Sequence, residues 1–264
     1  MTSVAPHPDR AALVRRLRAA GCVFAEDEAE LLIAAAAGSA EALAGLVERR
    51  LAGHPLEHVL GWAEFCGLRV AVDPGVFVPR RRTALLVATA ARLTAPGPAM
   101  VELCCGTGAA TLALVPLVAP RWAAAVDVDP AAVACARRNL AGPGVPVYEG
   151  DLFDPLPRTW RGRLDLVVAN APYVPTAAVA LLPPEARLYE APVALDGGPD
   201  GLSVLRRVAA GAAHWLRPGG QLVVESSGAQ AATLCAVLDG CGLAPTVVRD
   251  EEAGAVAVTG RRRG

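Results

Sequence analysis

From residue 99 onward, the sequence alternates short apolar runs with stretches of helical periodicity. Five runs rich in Val, Leu and Ala follow one another at residues 99–103, 123–128, 145–148, 164–169 and 221–225. Such runs are typical of strands buried on both faces, because the helices between parallel strands cover both sides of a sheet. The pattern predicts an α/β fold with a doubly wound, mainly parallel sheet.

Both ends of the chain have other patterns. Between residues 11 and 51, apolar residues recur at spacings of three and four among Arg and Glu, which predicts short amphipathic helices. Between residues 65 and 72 the spacing of apolar residues shortens toward alternation, which predicts a short hairpin. Near the C-terminus, two apolar runs around the polar residues 250–254 predict a final antiparallel hairpin. We therefore expect a helical domain with a linker hairpin at residues 1–72 and the α/β domain at residues 73–264.

Composition narrows the classes of function. The chain of 264 residues carries 25 Lys and Arg against 26 Asp and Glu, so any contact with nucleic acid must be local. Its most apolar run, residues 31–37, is shorter than the roughly 20 residues of a membrane span. Asp9 and the arginines at positions 10, 15 and 16 stand where a secretory leader needs an apolar stretch. We expect a cytoplasmic monomer that binds neither membranes nor nucleic acid directly.

Cysteine and histidine usage argues against a metal site. The 7 cysteines include no Cys-x-x-Cys pair, which predicts reduced, mostly buried thiols and neither a zinc ribbon nor a disulfide framework. His54 and His58 are four positions apart, but Pro55 interrupts the helix that would align them, and no third ligand is evident. We predict no bound metal.

A glycine-rich turn follows the first apolar run. Its residues are Glu102, Leu103, Cys104, Cys105, Gly106, Thr107 and Gly108. A turn of this kind before a helix lets a ligand approach the backbone and the helix N-terminus. The full Gly-x-Gly-x-x-Gly of pyrophosphate binders is missing, and the carboxylate of Glu102 would repel pyrophosphate but attract a cationic ligand. The turn therefore favours the amino-acid end of S-adenosylmethionine, and a nicotinamide oxidoreductase is the weaker alternative.

Acidic residues at three later strand ends extend this candidate site. Asp127 ends the next run about 20 residues on, the spacing at which a carboxylate holds a ribose in βαβ nucleotide sites. Asp151 follows the third run and is placed to accept a hydrogen bond from an adenine amino group, although a helix N-cap or turn aspartate fits it as well. Glu225, at the end of the fifth run, fits either a functional role or a hydrogen-bonded strand end.

The fourth apolar run ends in Asn170, Ala171, Pro172 and Tyr173. Catalytic groups of open α/β sheets lie at the carboxyl ends of strands. The Asn170 side-chain oxygen and a neighbouring backbone carbonyl can accept both N–H groups of a planar amide or amino group, which orients a weak nitrogen nucleophile toward a methyl group. Tyr173 can pack on the substrate plane and offer its π face to the developing cation. A loop built on an Asx turn is the alternative.

These motifs together resemble the HemK/PrmC family of protein-(glutamine) methyltransferases, over nearly the whole chain. Residues 55–68 and 72–80 are similar to the family's junction and its entry to the catalytic domain, and residues 194–202 are also family-like. The resemblance implies a seven-stranded, Rossmann-like class I S-adenosylmethionine-dependent methyltransferase domain behind a small N-terminal helical domain that docks the substrate. It implies methyl transfer to the side-chain amide nitrogen of a glutamine in the Gly-Gly-Gln loop of a peptide chain release factor.

Carried over by position, the resemblance also implies roles for individual residues. Residues 104–108, Asp127, Leu152 and Asn170 would contact the cofactor, beside Glu102 and Asp151. The substrate amide would be bound by Asn170, Ala171 and Pro172. With Tyr173 on the substrate plane, Asn170 and Tyr173 are the predicted catalytic residues.

Three departures from the family pattern point to a divergent paralogue. Ala171 replaces the first proline of Asn-Pro-Pro-Tyr, which keeps the accepting carbonyl but removes a ring that stiffens the loop. Arg82 reverses the charge of the glutamate in the family's Arg-Pro-Glu-Thr-like run, near the site entrance, and Cys104 replaces a loop glycine. Two alternatives therefore stay open: an adenine amino-methyltransferase acting on nucleic acid, whose motif is similar, and a non-catalytic cofactor-binding paralogue.

Overall fold

The N-terminal part of the chain is helical. The computed structural model describes residues 10–264. Asp9, one of the charged residues where a secretory leader would need an apolar stretch, lies outside the described residues. The first helices are α1 (Arg10–Ala19), α2 (Ala25–Ala35), α3 (Ala40–Leu51) and α4 (Leu56–Leu60). Their apolar faces form a cluster of their own, in which Leu17 and Leu32 are fully buried. The amphipathic helices that the spacing of three and four predicts are confirmed.

A short antiparallel hairpin connects these helices to the rest of the chain. It consists of β1 (Trp62–Phe65) and β2 (Leu68–Ala71), which confirms the predicted hairpin. Its turn residues Cys66 and Gly67 have φ of 51° and 74°. The buried side chains of Phe65 and Val70 pack in one cluster with helices of the following α/β part. The division into two domains at residue 72 stays a prediction.

The remaining chain folds into one sheet flanked by helices. Its strands are β3 (Ala99–Leu103), β4 (Trp122–Asp127), β5 (Val147–Glu149), β6 (Leu164–Ala169), β7 (Leu216–Ser226), β8 (Leu243–Asp250) and β9 (Ala255–Arg262). Its helices are α5 (Ala84–Leu93), α6 (Ala109–Val118), α7 (Pro130–Asn139), α8 (Thr176–Val179), α9 (Pro184–Tyr189), α10 (Ser203–Trp215) and α11 (Ala231–Gly240). Single 3₁₀ turns lie at Arg81–Thr83, Arg158–Trp160 and Pro192–Ala194.

The seven strands lie in the order β5-β4-β3-β6-β7-β9-β8. Neighbours are parallel from β5 to β7, whereas β9 is antiparallel to both β7 and β8. The predicted seven-stranded sheet and its terminal hairpin are confirmed. β7 begins at Leu216 instead of residue 221, since Leu216 pairs with Leu164 across a register shift in β6. The first five residues of β7 mix Pro and Gly with few apolar residues and carry no strand signal, so this extension was not predictable.

Both faces of the sheet are covered. Helices α10 and α11 pack on one face in a cluster that includes Val101 and Leu103 of β3. Helices α5 and α6 pack on the other face, against Met100 of the same strand. Every residue of β3 is buried, which explains its continuous apolar pattern.

Membrane, metal and thiol features complete the description. No helix in residues 10–264 is long and apolar enough to cross a lipid bilayer. Within that range, no three His, Cys, Asp or Glu residues are grouped so that they could hold a metal ion. His58 is buried, with its Nε2 2.8 Å from the carbonyl oxygen of Val76, while the His54 ring packs on Tyr189. The cysteines are free thiols.

Candidate active site

The carboxyl ends of β3, β4 and β6 meet around a cavity of about 270 Å³. Nine of the ten predicted cofactor-binding residues line it: Glu102, Cys104, Cys105, Gly106, Thr107, Asp127, Asp151, Leu152 and Asn170. The tenth, Gly108, lies behind the lining at the start of α6 with φ of 75°. This positive φ favours glycine, and a β-carbon at Gly108 would also lie 2.9 Å from Leu140 Cδ1, so the Leu140 side chain would have to shift. We call this space the cofactor cavity.

The glycine turn places a cysteine in a glycine-like conformation. Cys104, Gly106 and Gly108 all have positive φ, and the value for Cys104 is 52°. This left-handed conformation favours glycine, so Cys104 adopts it at some cost in strain. The backbone N–H of Gly106 donates to Asp127 Oδ2 at 2.7 Å, which ties the turn to the end of β4.

The cofactor cavity is acidic. Burial raises the pKa of Glu102 to about 7, while its Oε2 accepts a hydrogen bond from the backbone N–H of Thr111 at 2.8 Å. Burial also raises the pKa of Asp127 and of the Cys104 thiol. A bound cation would favour the ionised carboxylates. Acidic groups beside a glycine turn therefore fit the ammonium and sulfonium groups of S-adenosylmethionine.

Arg207 of α10 also lines the cofactor cavity, which the sequence reasoning missed. Its guanidinium donates to Asp151 Oδ2 at 2.6 Å. This ion pair occupies the Asp151 carboxylate, which was predicted to accept a hydrogen bond from an adenine amino group. That role of Asp151 stays a prediction. No motif marks Arg207, because it lies 56 positions from its partner.

A second cavity of about 220 Å³ adjoins the first. Both are lined by Phe77, Asn170, Pro172 and Ala194. The second alone is lined by Ala171 and Tyr173, so all four predicted substrate-binding residues reach it. Asn170 therefore lies at the junction of the two spaces. We call the second space the substrate cavity.

Thr83 fixes the orientation of the Asn170 amide. Asn170 Nδ2 donates to the buried Thr83 Oγ1 at 3.3 Å, which leaves Asn170 Oδ1 as the atom available to accept from a ligand. Thr83 ends the 3₁₀ turn before α5, 87 positions from Asn170. The sequence analysis considered the neighbouring Arg82 for its charge but assigned Thr83 no role.

The loop that carries Asn170 is held from two sides. Gln230 Nε2 donates to the carbonyl oxygen of Tyr173 at 2.9 Å, and the N–H of Gly197 donates to that of Val174 at 2.8 Å. A β-carbon on Gly197 would lie 2.7 Å from the Pro172 carbonyl oxygen. The family-like segment around Gly197 therefore requires glycine because it packs directly on the loop.

Tyr173, Arg82 and Glu225 form a closed hydrogen-bond network. The Tyr173 hydroxyl donates to Glu225 Oε1 at 2.9 Å and accepts from Arg82 Nη2 at 2.8 Å, while Arg82 Nε donates to the same Oε1 at 3.0 Å. Burial and the nearby Glu225 carboxylate raise the pKa of Tyr173 above its ordinary range. The expectation that Arg82 only reverses a charge at the entrance is incomplete, since a buried carboxylate compensates its charge.

A second ion pair supports the same wall of the substrate cavity. Arg80 donates to the buried Glu190 at 2.6 Å, and the N–H of Val78 donates to the same carboxylate oxygen at 3.1 Å. Burial raises the pKa of Glu190, whereas Arg80 lowers it. Glu190 directly follows α9, so it links the segment before the 3₁₀ turn to the loop beyond β6.

The N-terminal helices contact the rim of the substrate cavity. Arg50 of α3 is buried between Glu28 of α2, with a hydrogen bond of 2.6 Å, and Glu185 of α9, also at 2.6 Å. Glu185 lines the substrate cavity. The Tyr189 hydroxyl donates to the carbonyl oxygen of Ala52 at 3.0 Å. These contacts fix α9 against the helical part of the chain.

Comparisons with known proteins agree with this geometry. A family profile described as a methyltransferase domain matches residues 100–187. The chain is 38% identical over 222 residues to a release factor glutamine methyltransferase from Geobacter sulfurreducens, covering 83% of this chain and 77% of that protein. It is 36% identical over 203 residues to a 4-amino-L-phenylalanine/4-methylamino-L-phenylalanine methyltransferase from Streptomyces pristinaespiralis, covering 74% and 69%. The structure of a Pyrococcus furiosus methyltransferase matches with a TM-score of 0.58 at 14% identity, covering 75% of this chain and 90% of that one.

The sheet order, the glycine turn and the acidic cavity define a class I S-adenosylmethionine-dependent methyltransferase. The chain belongs to the family of release factor glutamine methyltransferases. The predicted fold class, cofactor, enzyme class and family are confirmed, and the comparisons favour them over the nucleic-acid and non-catalytic alternatives.

Proposed function

We propose that this protein transfers the methyl group of S-adenosylmethionine to the side-chain amide nitrogen of a glutamine in the Gly-Gly-Gln loop of a peptide chain release factor. The observation that carries the proposal is the position of Asn170 at the junction of the cofactor and substrate cavities. The relative from Geobacter sulfurreducens has this activity in its name. The cofactor, when bound, supplies an electrophilic methyl group.

The residues of the Asn170 loop then act as hydrogen-bond acceptors. Asn170 Oδ1 and the carbonyl oxygen of Ala171 accept the two N–H groups of the glutamine amide, and Pro172 packs beside it. Both acceptors become stronger partners as positive charge develops on the nitrogen, so they stabilise the transition state more than the planar ground state. The methylated nitrogen is acidic enough to lose its proton afterwards, so the loop supplies no general base.

Tyr173 forms the aromatic wall of the substrate cavity. Its hydroxyl is engaged by Arg82 and Glu225, so the ring, and not the hydroxyl, faces the substrate plane in this proposal. A π face beside a nitrogen that gains positive charge contributes about 1 kcal/mol. On the cofactor side, Glu102, Asp127, Asp151, Leu152 and residues 104–108 hold S-adenosylmethionine.

Surface composition favours a macromolecular substrate. Leu181, Leu188 and Val193 are exposed by 84%, 61% and 51%, on the segment that forms the outer wall of the substrate cavity. Exposed apolar side chains on a segment beside a cavity are typical of a protein contact site. The net charge of −1 gives no general attraction to nucleic acid. We infer that the enzyme acts as a cytoplasmic monomer and that its N-terminal domain, residues 1–72, docks the release factor.

A free arylamine is the second candidate substrate. The relative from Streptomyces pristinaespiralis is named for methylation of 4-amino-L-phenylalanine. An arylamine shares with a glutamine amide a planar nitrogen whose lone pair is delocalised, so the same two acceptors can orient it. The substrate experiment must therefore include both.

The test is methyl transfer from radiolabelled S-adenosylmethionine. Purified release factor, the same factor with its loop glutamine replaced by alanine, and 4-amino-L-phenylalanine are incubated with the natural chain. We expect label on the intact release factor alone, mapped by mass spectrometry to the glutamine amide. Label on the alanine-containing factor, or on the arylamine alone, contradicts the proposed substrate.

Asn170→Ala tests the role of the loop. We expect kcat/KM to fall about 10³-fold, as when one preorganised hydrogen-bonding group of an active site is removed. Asn170→Asp keeps an accepting oxygen and should retain more activity than Asn170→Ala. Dissociation constants for S-adenosylmethionine, measured by calorimetry, should change by less than about 10-fold in both variants, since Asn170 is one of many cavity residues. Equal kcat/KM for the natural chain and Asn170→Ala excludes Asn170 from catalysis.

A further inference from the structure

We propose that Arg82 and Glu225 are positioning residues for Tyr173, and that this pair holds the aromatic wall of the substrate cavity in place for methyl transfer. The inference rests on the proposed function and assigns a role to the charge reversal at residue 82. It concerns side chains from three separate parts of the chain: the 3₁₀ turn before α5, the loop after β6, and the end of β7.

The first argument is geometric closure. Each of the three polar groups contacts both of the others, at 2.8, 2.9 and 3.0 Å. The Arg82 guanidinium carbon also lies 6.0 Å from the centre of the Tyr173 ring. A phenol oxygen that both donates and accepts in this network is held at one point, so the far end of the ring and the direction of its long axis are fixed. The network therefore fixes the place of the ring in the cavity wall.

The second argument is burial. The Glu225 side chain is 4% exposed, and its Oε2 has no hydrogen-bond partner among the described residues. A buried carboxylate requires a compensating cation, and Arg82 is the cation in contact with it. Arg82 itself is 47% exposed, so it reaches the carboxylate from the side of the substrate cavity.

The third argument is the shape of arginine. Nε and Nη2 of one guanidinium contact two different acceptors, Glu225 Oε1 and the Tyr173 hydroxyl. A lysine ammonium is a point charge without this rigid fork. Neutralising Glu225 alone would therefore not explain the arrangement, whereas positioning Tyr173 does.

The charge-neutral double variant Arg82→Met with Glu225→Leu tests the proposal. It removes both partners of the Tyr173 hydroxyl without leaving a buried charge uncompensated. We expect kcat/KM for the release factor to fall about 10- to 100-fold, mainly through kcat, because a small misplacement of a substrate-positioning group has effects of this size. Affinity for S-adenosylmethionine and thermal stability should stay close to those of the natural chain.

A double-mutant cycle separates positioning from other effects. In the Tyr173→Phe background, where the hydroxyl is already absent, the double variant should have little further effect on kcat/KM. An additive loss in that background overturns the proposal, since the pair would then act through something other than Tyr173. Unchanged kcat/KM in the Tyr173 background overturns it as well.

A spectroscopic readout is independent of activity. The chain has 3 tyrosines, so ¹³Cζ labelling of tyrosine gives three NMR signals, and Tyr173→Phe identifies the one from Tyr173. The double variant should shift the Tyr173 signal and leave those of Tyr148 and Tyr189 in place. Arg81→Met is the matched control, because Arg81 is exposed and forms no ion pair with a described residue; it should shift none of them.

The outcomes distinguish this inference from the proposed function. If the natural chain labels no release factor, the proposed function fails, and the NMR signal still decides whether the pair holds Tyr173. If transfer occurs but the Tyr173 signal does not change in the double variant, the positioning role fails and the proposed function stands.

Discussion

The two cavities are built in different ways. On the cofactor side, the polar contacts of the glycine turn join residues close in sequence: Thr111 to Glu102 across 9 positions, and Gly106 to Asp127 across 21. On the substrate side, contacts join distant parts of the chain: Arg82 to Glu225 across 143 positions and Arg80 to Glu190 across 110. The first cavity is made by turns at adjacent strand ends, and the second by side chains that only the folded chain brings together.

This difference bears on how each cavity tolerates substitution. A site made of backbone turns depends on glycine positions and on a few carboxylates, so its residues are recognisable as motifs. A site made of ion pairs depends on elements that are far apart in the chain, as those of Arg82 and Glu225 are. We therefore expect binding of the cofactor and reaction of the substrate to respond independently to mutation.

Of four further substitutions, Gly197→Ala should have the largest effect and separate the two cavities most clearly. The added β-carbon would lie 2.6 Å from the Gly201 carbonyl oxygen and 2.8 Å from Tyr173 Cα, so the Asn170 loop must shift. We expect kcat/KM to fall about 100-fold, with a loss of stability of about 1–3 kcal/mol. Affinity for S-adenosylmethionine should change little. Gly228→Ala is the control, because its β-carbon meets nothing within 4 Å; equal activity of the two variants contradicts the expected clash.

Asp127→Ala should affect the cofactor cavity next most strongly. It removes a carboxylate that accepts from the Gly106 N–H and, in the proposed site, from the ribose. Hydrogen bonds to a charged group contribute about 1.5–3 kcal/mol, so the dissociation constant of S-adenosylmethionine should rise about 10- to 100-fold. Asp154→Ala, an exposed acid outside the cavity, should leave it unchanged. Calorimetric titration of both variants decides whether the carboxylate or the general acidity of the region matters.

Glu102→Gln should produce a smaller, pH-dependent effect. Burial raises the pKa of Glu102 from 4.5 to about 7, so the folded chain holds a proton that the unfolded chain releases. The stabilisation from this carboxyl is therefore present below pH about 4.5 and is lost as the pH rises through about 7. In urea unfolding without cofactor, stability should fall more steeply with pH in the natural chain than in the variant. Parallel curves would show that Glu102 is not the group responsible.

Cys104→Gly should have the smallest effect. At φ of 52°, a cysteine carries strain of about 1–2 kcal/mol that glycine does not. Glycine in turn lowers the free energy of unfolding by about 0.5–1 kcal/mol, because it makes the unfolded chain more flexible. We expect a net gain of about 0.5 kcal/mol, seen as a slightly higher Tm with unchanged activity. Cys105→Gly is the counterpart: Cys105 is buried without positive φ, so that variant should lose about 1–2 kcal/mol. A lower Tm for Cys104→Gly refutes the strain at this position.

Much of the fold and of the cofactor cavity is predictable from sequence. The strands from β3 to β6 follow from apolar runs bounded by turns. Their predicted bounds differ from the observed ones by at most one or two residues at each end. The glycine turn and the Asn170 motif each follow a strand directly, Asp127 is the last residue of one, and strand ends of a parallel sheet meet at one edge. Local spacing and this one rule of topology are sufficient to bring them together.

The sequence by itself determined the class of sheet, the place of the cofactor cavity and the Asn170 loop, because periodicity and adjacency along the chain carry that information. Only the tertiary structure decided that Thr83 orients Asn170, that Arg207 pairs with Asp151, and that Arg82 joins Glu225 and Tyr173. These contacts join residues between 56 and 143 positions apart. A pair so distant leaves no periodic signal, since its partners meet only after the sheet has formed and the helices have packed on it.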